Sequence, residues 1–215
     1  MAVVTPIVLF DLDNTLVHSR IDFLGIRQAI IGRLLDVGAL DAPPADPRAR
    51  AIPEWLDLAA EFEPTLAAEL WQIVDQFERD GMVHGTVEAD ARSTLDQLHS
   101  AGLRLAVLTN NSLGSADAAL ERFDLRAPLD LVLARDVVPA LKPSGVGVAQ
   151  AHAALGGGRL FMVGDSWIDG AAAQRAAVGA SFIAFRANLP DLAQRGIETW
   201  SSITALAEIP ALLPL

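Results

Sequence analysis

The sequence predicts an α/β fold, a doubly wound parallel sheet with a small all-helical unit inserted after the first strand. Three observations predict it. Short apolar runs alternate with longer segments of helical spacing. The runs are apolar at successive positions, as in parallel strands covered on both faces. One long stretch near the start breaks the alternation and carries helical spacing alone.

The apolar runs are Val3–Phe10, Leu103–Leu108, Leu129–Leu133, Leu160–Val163 and Ser181–Phe185. Between them, Val87–Ser100, Ser115–Arg122, Gly147–Ala154 and Gly170–Ala177 read as helices. Gly102, Gly156 and Gly179 stand just beyond three of these, where helices commonly stop. Strand-helix-strand repetition makes the sheet parallel and Rossmann-like. From about Val17 to about His84 no further strand pattern occurs. Ile21–Val37, Glu54–Phe62 and Thr65–Arg79 have helical spacing, and Ala42–Pro53, with prolines 43, 44, 47 and 53, reads as a loop. The expected division is a core of residues 1–16 and 85–215, and a helical cap of residues 17–84.

Composition narrows the function. The 215 residues carry 16 Lys and Arg against 27 Asp and Glu, a net charge of −11. Nucleic-acid binders show the opposite balance, so none is expected as a partner. Mean hydropathy is +0.34. Yet the longest charge-free stretch, Pro143–Gly158, mixes Gly, Pro, Ser, Gln and His and does not read as a spanning helix. The absence of cysteine excludes a disulfide scaffold and a thiolate metal site. The opening apolar run lacks a basic leader and is cut by Asp11, so it reads as a buried strand and the protein as cytoplasmic. Oligomeric state is not readable.

Four polar clusters fall at the carboxyl ends of expected strands, the edge where open parallel sheets bind ligands. Asp11-Leu-Asp13 sets two carboxylates close together at a strand end, a costly arrangement that a divalent cation would relieve. The alternative is a polar turn. Thr109-Asn110-Asn111 offers a hydroxyl and backbone N–H groups to an anion, or simply caps the next helix. Lys142 precedes Pro143, which keeps it out of helical geometry and suits a side chain reaching inward. Asp165 and Asp169, four apart, are expected on one face of the following helix, either at a site or complementing its N-terminus. Acid pair, hydroxyl, cation and acid pair form a workable set for holding a phosphoryl group beside a metal.

These stretches, Phe10-Asp-Leu-Asp-Asn-Thr-Leu16, Thr109, Lys142 and Gly164-Asp-Ser-Trp-Ile-Asp169, resemble the four motifs of the haloacid dehalogenase superfamily, in its phosphatase branch. The helical insert resembles that superfamily's first cap type in position and helicity, as in phosphoglycolate-phosphatase-like members. The resemblance implies an Mg²⁺-dependent phosphatase acting on a small organic phosphate monoester. It implies Asp11 as nucleophile, forming an aspartyl-phosphate, and Asp13 as general acid and base. It implies Thr109 and the N–H of Asn110 on the phosphoryl oxygens and Lys142 neutralising charge. Mg²⁺ would be held by the Asp11 side chain, the Asp13 main-chain carbonyl and Asp165, with Asp169 orienting a metal-bound water or Lys142. Crowding by Asp11 is expected to raise the proton affinity of Asp13, and the helix N-terminus at Ser112 to favour transition-state charge.

Within the same superfamily, dehalogenation of a 2-haloacid is disfavoured by Asp13 and Asp165. A phosphomutase on the same core, or a non-catalytic regulatory protein with this fold, are the alternatives. Phosphoglycolate, a sugar phosphate or a nucleotide are candidate substrates. Arg20 and Arg27, seven apart, are candidates to face a substrate carboxylate or second phosphate, the alternative being a solvated helix face. Arg48 and Arg50 are weaker candidates. His18 reads as a solvated loop residue near the cap hinge, Trp55 and Trp71 as internal cap packing, and Trp167 as an edge of the site.

Overall fold

The computed structural model describes residues 5–213. The first strand, β1, spans Ile7–Phe10; Val3 and Val4, where the sequence places its start, lie outside the described residues. Strands β4 (Arg104–Leu108), β5 (Leu131–Leu133), β6 (Leu160–Gly164) and β7 (Ser181–Phe185) follow the expected runs within two residues. A sixth, β8 (Ser201–Ile203), was not expected. All six pair in parallel, in the order β5-β4-β1-β6-β7-β8.

The uninterrupted apolar runs are explained by the two faces they feed. Val8, Phe10, Val107, Phe161, Val163, Ile183 and Phe185 enter one apolar cluster, and Ile7, Leu9, Ala106, Leu108, Leu160 and Met162 the other. Helices α4 (Ala91–Ser100), α5 (Leu113–Arg122) and α9 (Ile209–Leu212) cover the first face. Helices α6 (Val146–Ala154), α7 (Trp167–Arg175) and α8 (Leu189–Gln194) cover the second. Gly102 and Gly156, beyond α4 and α6, adopt φ of 82° and 85°, the left-handed geometry that ends a helix cheaply only at glycine.

The insert contains α1 (Phe23–Asp36), α2 (Ile52–Phe62) and α3 (Pro64–Val83), with a short 3-10 turn at Pro47–Ala49 inside the proline-rich loop. Its helices pack on one another, and α3 also lies along α5. The apolar cluster runs from the sheet face into these helices without a break, through Leu16, Val17 and Ile21 to Ile26, Ile30 and Leu34. Strand structure does occur at its borders, against the sequence expectation. Val17–His18 (β2) pairs antiparallel with Thr86–Val87 (β3), so the chain enters and leaves the insert side by side. The Arg20 N–H donates to Gly81 O at 2.9 Å across the same junction.

Candidate active site

β1 ends at Phe10, and the chain then leaves strand geometry. Asn14 takes φ of 62°, and the Val17 N–H returns to Leu12 O at 2.9 Å. This tight return buries Leu12 inward and lets Asp11 and Asp13 face one cavity. That cavity, about 320 Å³, is lined by Asp11, Asp13, Thr109, Asn110, Lys142 and Asp165, together with Ser166 and Ile168. Segments of the chain more than 150 positions apart, such as Asp11 and Asp165, thus converge at the carboxyl edge of β1, β4 and β6.

Lys142 is 5% exposed, and its Nζ donates to Asp11 Oδ1 at 2.5 Å and to Asp169 Oδ1 at 2.7 Å. Burial works to lower its pKa, but the two carboxylates outweigh it and the net shift is upward. Its backbone is held by the Asn110 carboxamide: Nδ2 donates to Lys142 O and the Lys142 N–H donates to Oδ1, both at 2.9 Å. The Asn110 side chain is therefore committed to fixing the lysine loop, which leaves its backbone N–H for a ligand. Thr109 is buried, and its Oγ1 accepts the Asn111 N–H at 3.2 Å.

The sequence placed Asp165 and Asp169 on one helix face; instead Asp165 lies in the loop before α7, and only Asp169 is in the first turn. Asp169 Oδ2 accepts the Ser166 N–H at 3.2 Å and hydroxyl at 2.7 Å, while Oδ1 takes Lys142. It caps the helix and holds the lysine at once. Gly164 permits this: a Cβ there would sit 2.5 Å from the Asp169 carboxyl.

Carboxylates outnumber cations here. Burial, aided by Asp169 and Asp165 and opposed by Lys142, pushes Asp11 up to about 8. Burial and Asp169 push Asp165 up to about 6. Asp13 is also raised, by burial against the hydrogen bond from Ser19; burial, and not crowding by Asp11, leads that shift. One oxygen each from Asp11, Asp165 and Asp169 lie within 4.8 Å of one another. Hard oxygen donors holding excess negative charge in a partly desolvated pocket fit a divalent cation such as Mg²⁺.

Several expectations fail. The α5 N-terminus does not open to the cavity: the Ser112 N–H donates to Glu78 Oε2 at 3.0 Å and the Leu113 N–H to Asp136 Oδ1 at 2.8 Å. Its dipole is already met by carboxylates. Arg20 precedes α1, is exposed, and does not line the cavity; Arg27 donates to Phe23 O at 2.8 Å instead. The insert's lining residue is Phe23, 46% exposed, which nothing in its local pattern set apart. Trp167 stacks under Arg195, away from the lining. Trp55 and Trp71 do pack against the apolar cluster of the insert, and Trp71 also carries Arg135 over its ring. Arg50 stacks on Trp55. His18 is paired, with Nε2 2.7 Å from Glu88 Oε2.

Comparison with known proteins agrees with this geometry. A haloacid dehalogenase-like hydrolase family profile matches residues 5–177. A phosphoglycolate phosphatase of Cereibacter sphaeroides is 32% identical over 180 residues, covering 80% of this chain and 81% of its own. Another, of Chromobacterium violaceum, is 30% identical and covers 94% and 93%. The crystal structure of a subfamily IA hydrolase from Geobacter sulfurreducens superposes with a TM-score of 0.67 at 23% identity, covering 97% and 100%. The chain belongs to the haloacid dehalogenase-like hydrolases, and its relatives put it in the phosphatase branch of that family.

Proposed function

We propose that the protein hydrolyses a small organic phosphate monoester with Mg²⁺, through an aspartyl-phosphate on Asp11. The observation that carries this is the shared cavity of Asp11, Asp13, Thr109, Lys142 and Asp165. Asp11 and Asp165, with the Asp13 main-chain carbonyl, would hold the cation, which supplies charge neutralisation beside the phosphoryl oxygens. Asp169 acts by holding Lys142, to which it is bonded.

An Asp11 carboxylate oxygen attacks phosphorus as the bond to the leaving oxygen breaks. Asp13, whose proton affinity is raised by burial, gives its proton to that oxygen. Water then attacks phosphorus, Asp13 takes the water's proton, and the Asp11 carboxylate is released with inorganic phosphate. Lys142, Thr109 and the Asn110 N–H receive the charge spread over the equatorial oxygens.

We also propose that residues 17–84 act as a cap over the core of residues 1–16 and 85–215. Phe23 on α1 supports this by closing one side of the cavity. Phosphoglycolate is the first substrate to try, because curated relatives carry that name. The test is Mg²⁺-dependent phosphate release from phosphoglycolate and p-nitrophenyl phosphate, with Asp11→Asn as control. Release that survives a chelator or that substitution rejects the reading.

A further inference from the structure

The chain segment after β5 and the third insert helix, α3, enclose a charged cluster that the proposed chemistry does not use. Arg135 Nη1 donates to Glu78 Oε1 at 2.6 Å and to Asn110 O at 3.1 Å. Its Nη2 donates to Glu78 Oε2 at 3.1 Å and to Asp75. Its backbone N–H donates to Asn111 O at 3.0 Å. Glu78 is 5% exposed and accepts the Ser112 N–H at 3.0 Å. The guanidinium lies 4.3 Å from the centroid of the Trp71 ring.

Three consecutive residues are thereby held from outside their own loop: the carbonyls of Asn110 and Asn111 by Arg135, and the N–H of Ser112 by Glu78. Thr109 and the Asn110 N–H begin that same loop. A peptide plane is rigid, so fixing the Asn110 carbonyl fixes the orientation of the Asn111 N–H, which bonds Thr109 Oγ1. All three side chains on Arg135, Trp71, Asp75 and Glu78, belong to the insert.

We propose that Arg135 and Glu78 are positioning residues for phosphoryl binding, so that the Thr109–Ser112 loop takes its binding shape only against α3. This rests on the phosphatase reading. Arginine suits the task because its planar fork donates to Glu78 and Asn110 O together; lysine is a point charge and lacks that fork.

The test measures dissociation constants of orthovanadate, in saturating Mg²⁺, and of Mg²⁺ alone, by calorimetry, for wild type, Arg135→Lys and Glu78→Gln. Expected is a loss of about tenfold or more in orthovanadate affinity for Arg135→Lys, since small misplacements of binding groups are costly. Mg²⁺ affinity is expected to stay unchanged, because its carboxylates hang on β1 and β6. Arg104→Lys, which alters an exposed pair with Asp130, serves as control and should match wild type. If Arg135→Lys unfolds, Glu78→Gln carries the test, because it keeps side-chain shape and the acceptor for Ser112. Orthovanadate affinity within twofold of wild type in the folded variant overturns the proposal, as does a parallel loss of Mg²⁺ affinity, which marks general damage. Wild type that binds no orthovanadate rejects the phosphatase reading as well, so the two failures are told apart.

Discussion

Asp11 and Glu88 are buried to similar degrees, 6% and 4% exposed, yet their proton affinities move in opposite directions. Burial raises both. At Glu88 it is outweighed by the Arg186 fork at 2.7 and 2.9 Å and by His18 at 2.7 Å, and the pKa falls below its ordinary value. At Asp11 a single lysine is shared with Asp169, and Asp165 adds like charge, so the pKa climbs to about 8. Glu88 ties β3 and the return from the insert to the β7 end, with its charge satisfied by the protein. Asp11 faces a cavity with its charge only partly met, by a lysine it shares with Asp169. A carboxylate left in that state is costly, and the cost marks a place where ligands complete the structure.

The largest expected effect comes from breaking the partly met side. Asp11→Asn should lower kcat by about 10⁴-fold or more, as loss of a nucleophile does, while leaving thermal unfolding of the metal-free protein unchanged or improved. Steady-state kinetics and calorimetry on one preparation read both.

Lys142→Met comes next. It strands Asp11 and Asp169 without their cation, and about 3–5 kcal/mol of stability should be lost in metal-free buffer. Denaturant titrations should show part of it recovered in Mg²⁺.

pH separates the two carboxylates further. Folded Asp11 keeps a proton up to about 8, whereas its ordinary value is 3.8. Between those values the folded state binds more protons than the unfolded one, so metal-free stability should fall as pH rises from about 5 to 8. Asp165, raised to about 6, adds to the lower half of that slope. Mg²⁺ or Asp11→Asn should flatten it. Glu88 contributes in the other direction: its stabilisation is complete above its ordinary value of 4.5 and is lost only as pH falls through its lowered folded value. Unfolding midpoints across pH, with and without Mg²⁺, check both slopes.

The smallest effect is expected from Glu88→Gln, a loss of about 1–3 kcal/mol with no change in Mg²⁺ affinity. A large drop in Mg²⁺ affinity would erase the contrast between the two carboxylates.

The sequence made five strands of the sheet, β1 and β4 to β7, readable because each is a run of apolar residues feeding covered faces. It also made the convergence of Asp11, Thr109, Lys142 and Asp165 readable, since each follows a strand in a parallel sheet. β8 escaped because two of its three residues are serines on an edge, where only Ile203 is buried. β2 and β3 escaped because two residues carry no period. The Arg135–Glu78 pair spans 57 positions, and no spacing rule connects residues that meet only through packing of α3 on α5. Charge is visible in a sequence, as at Arg20 and Arg27, while the half-exposed Phe23 that lines the cavity looks like any apolar helix residue.

The most direct measurement is acid-quench of the Mg²⁺-loaded protein during turnover of a phosphate-labelled ester, followed by peptide mapping. The account predicts label on the peptide that contains Asp11, lost after hydroxylamine and absent from Asp11→Asn. Wild-type turnover retained by Asp11→Asn, with no acid-stable label on that peptide in either protein, would contradict it.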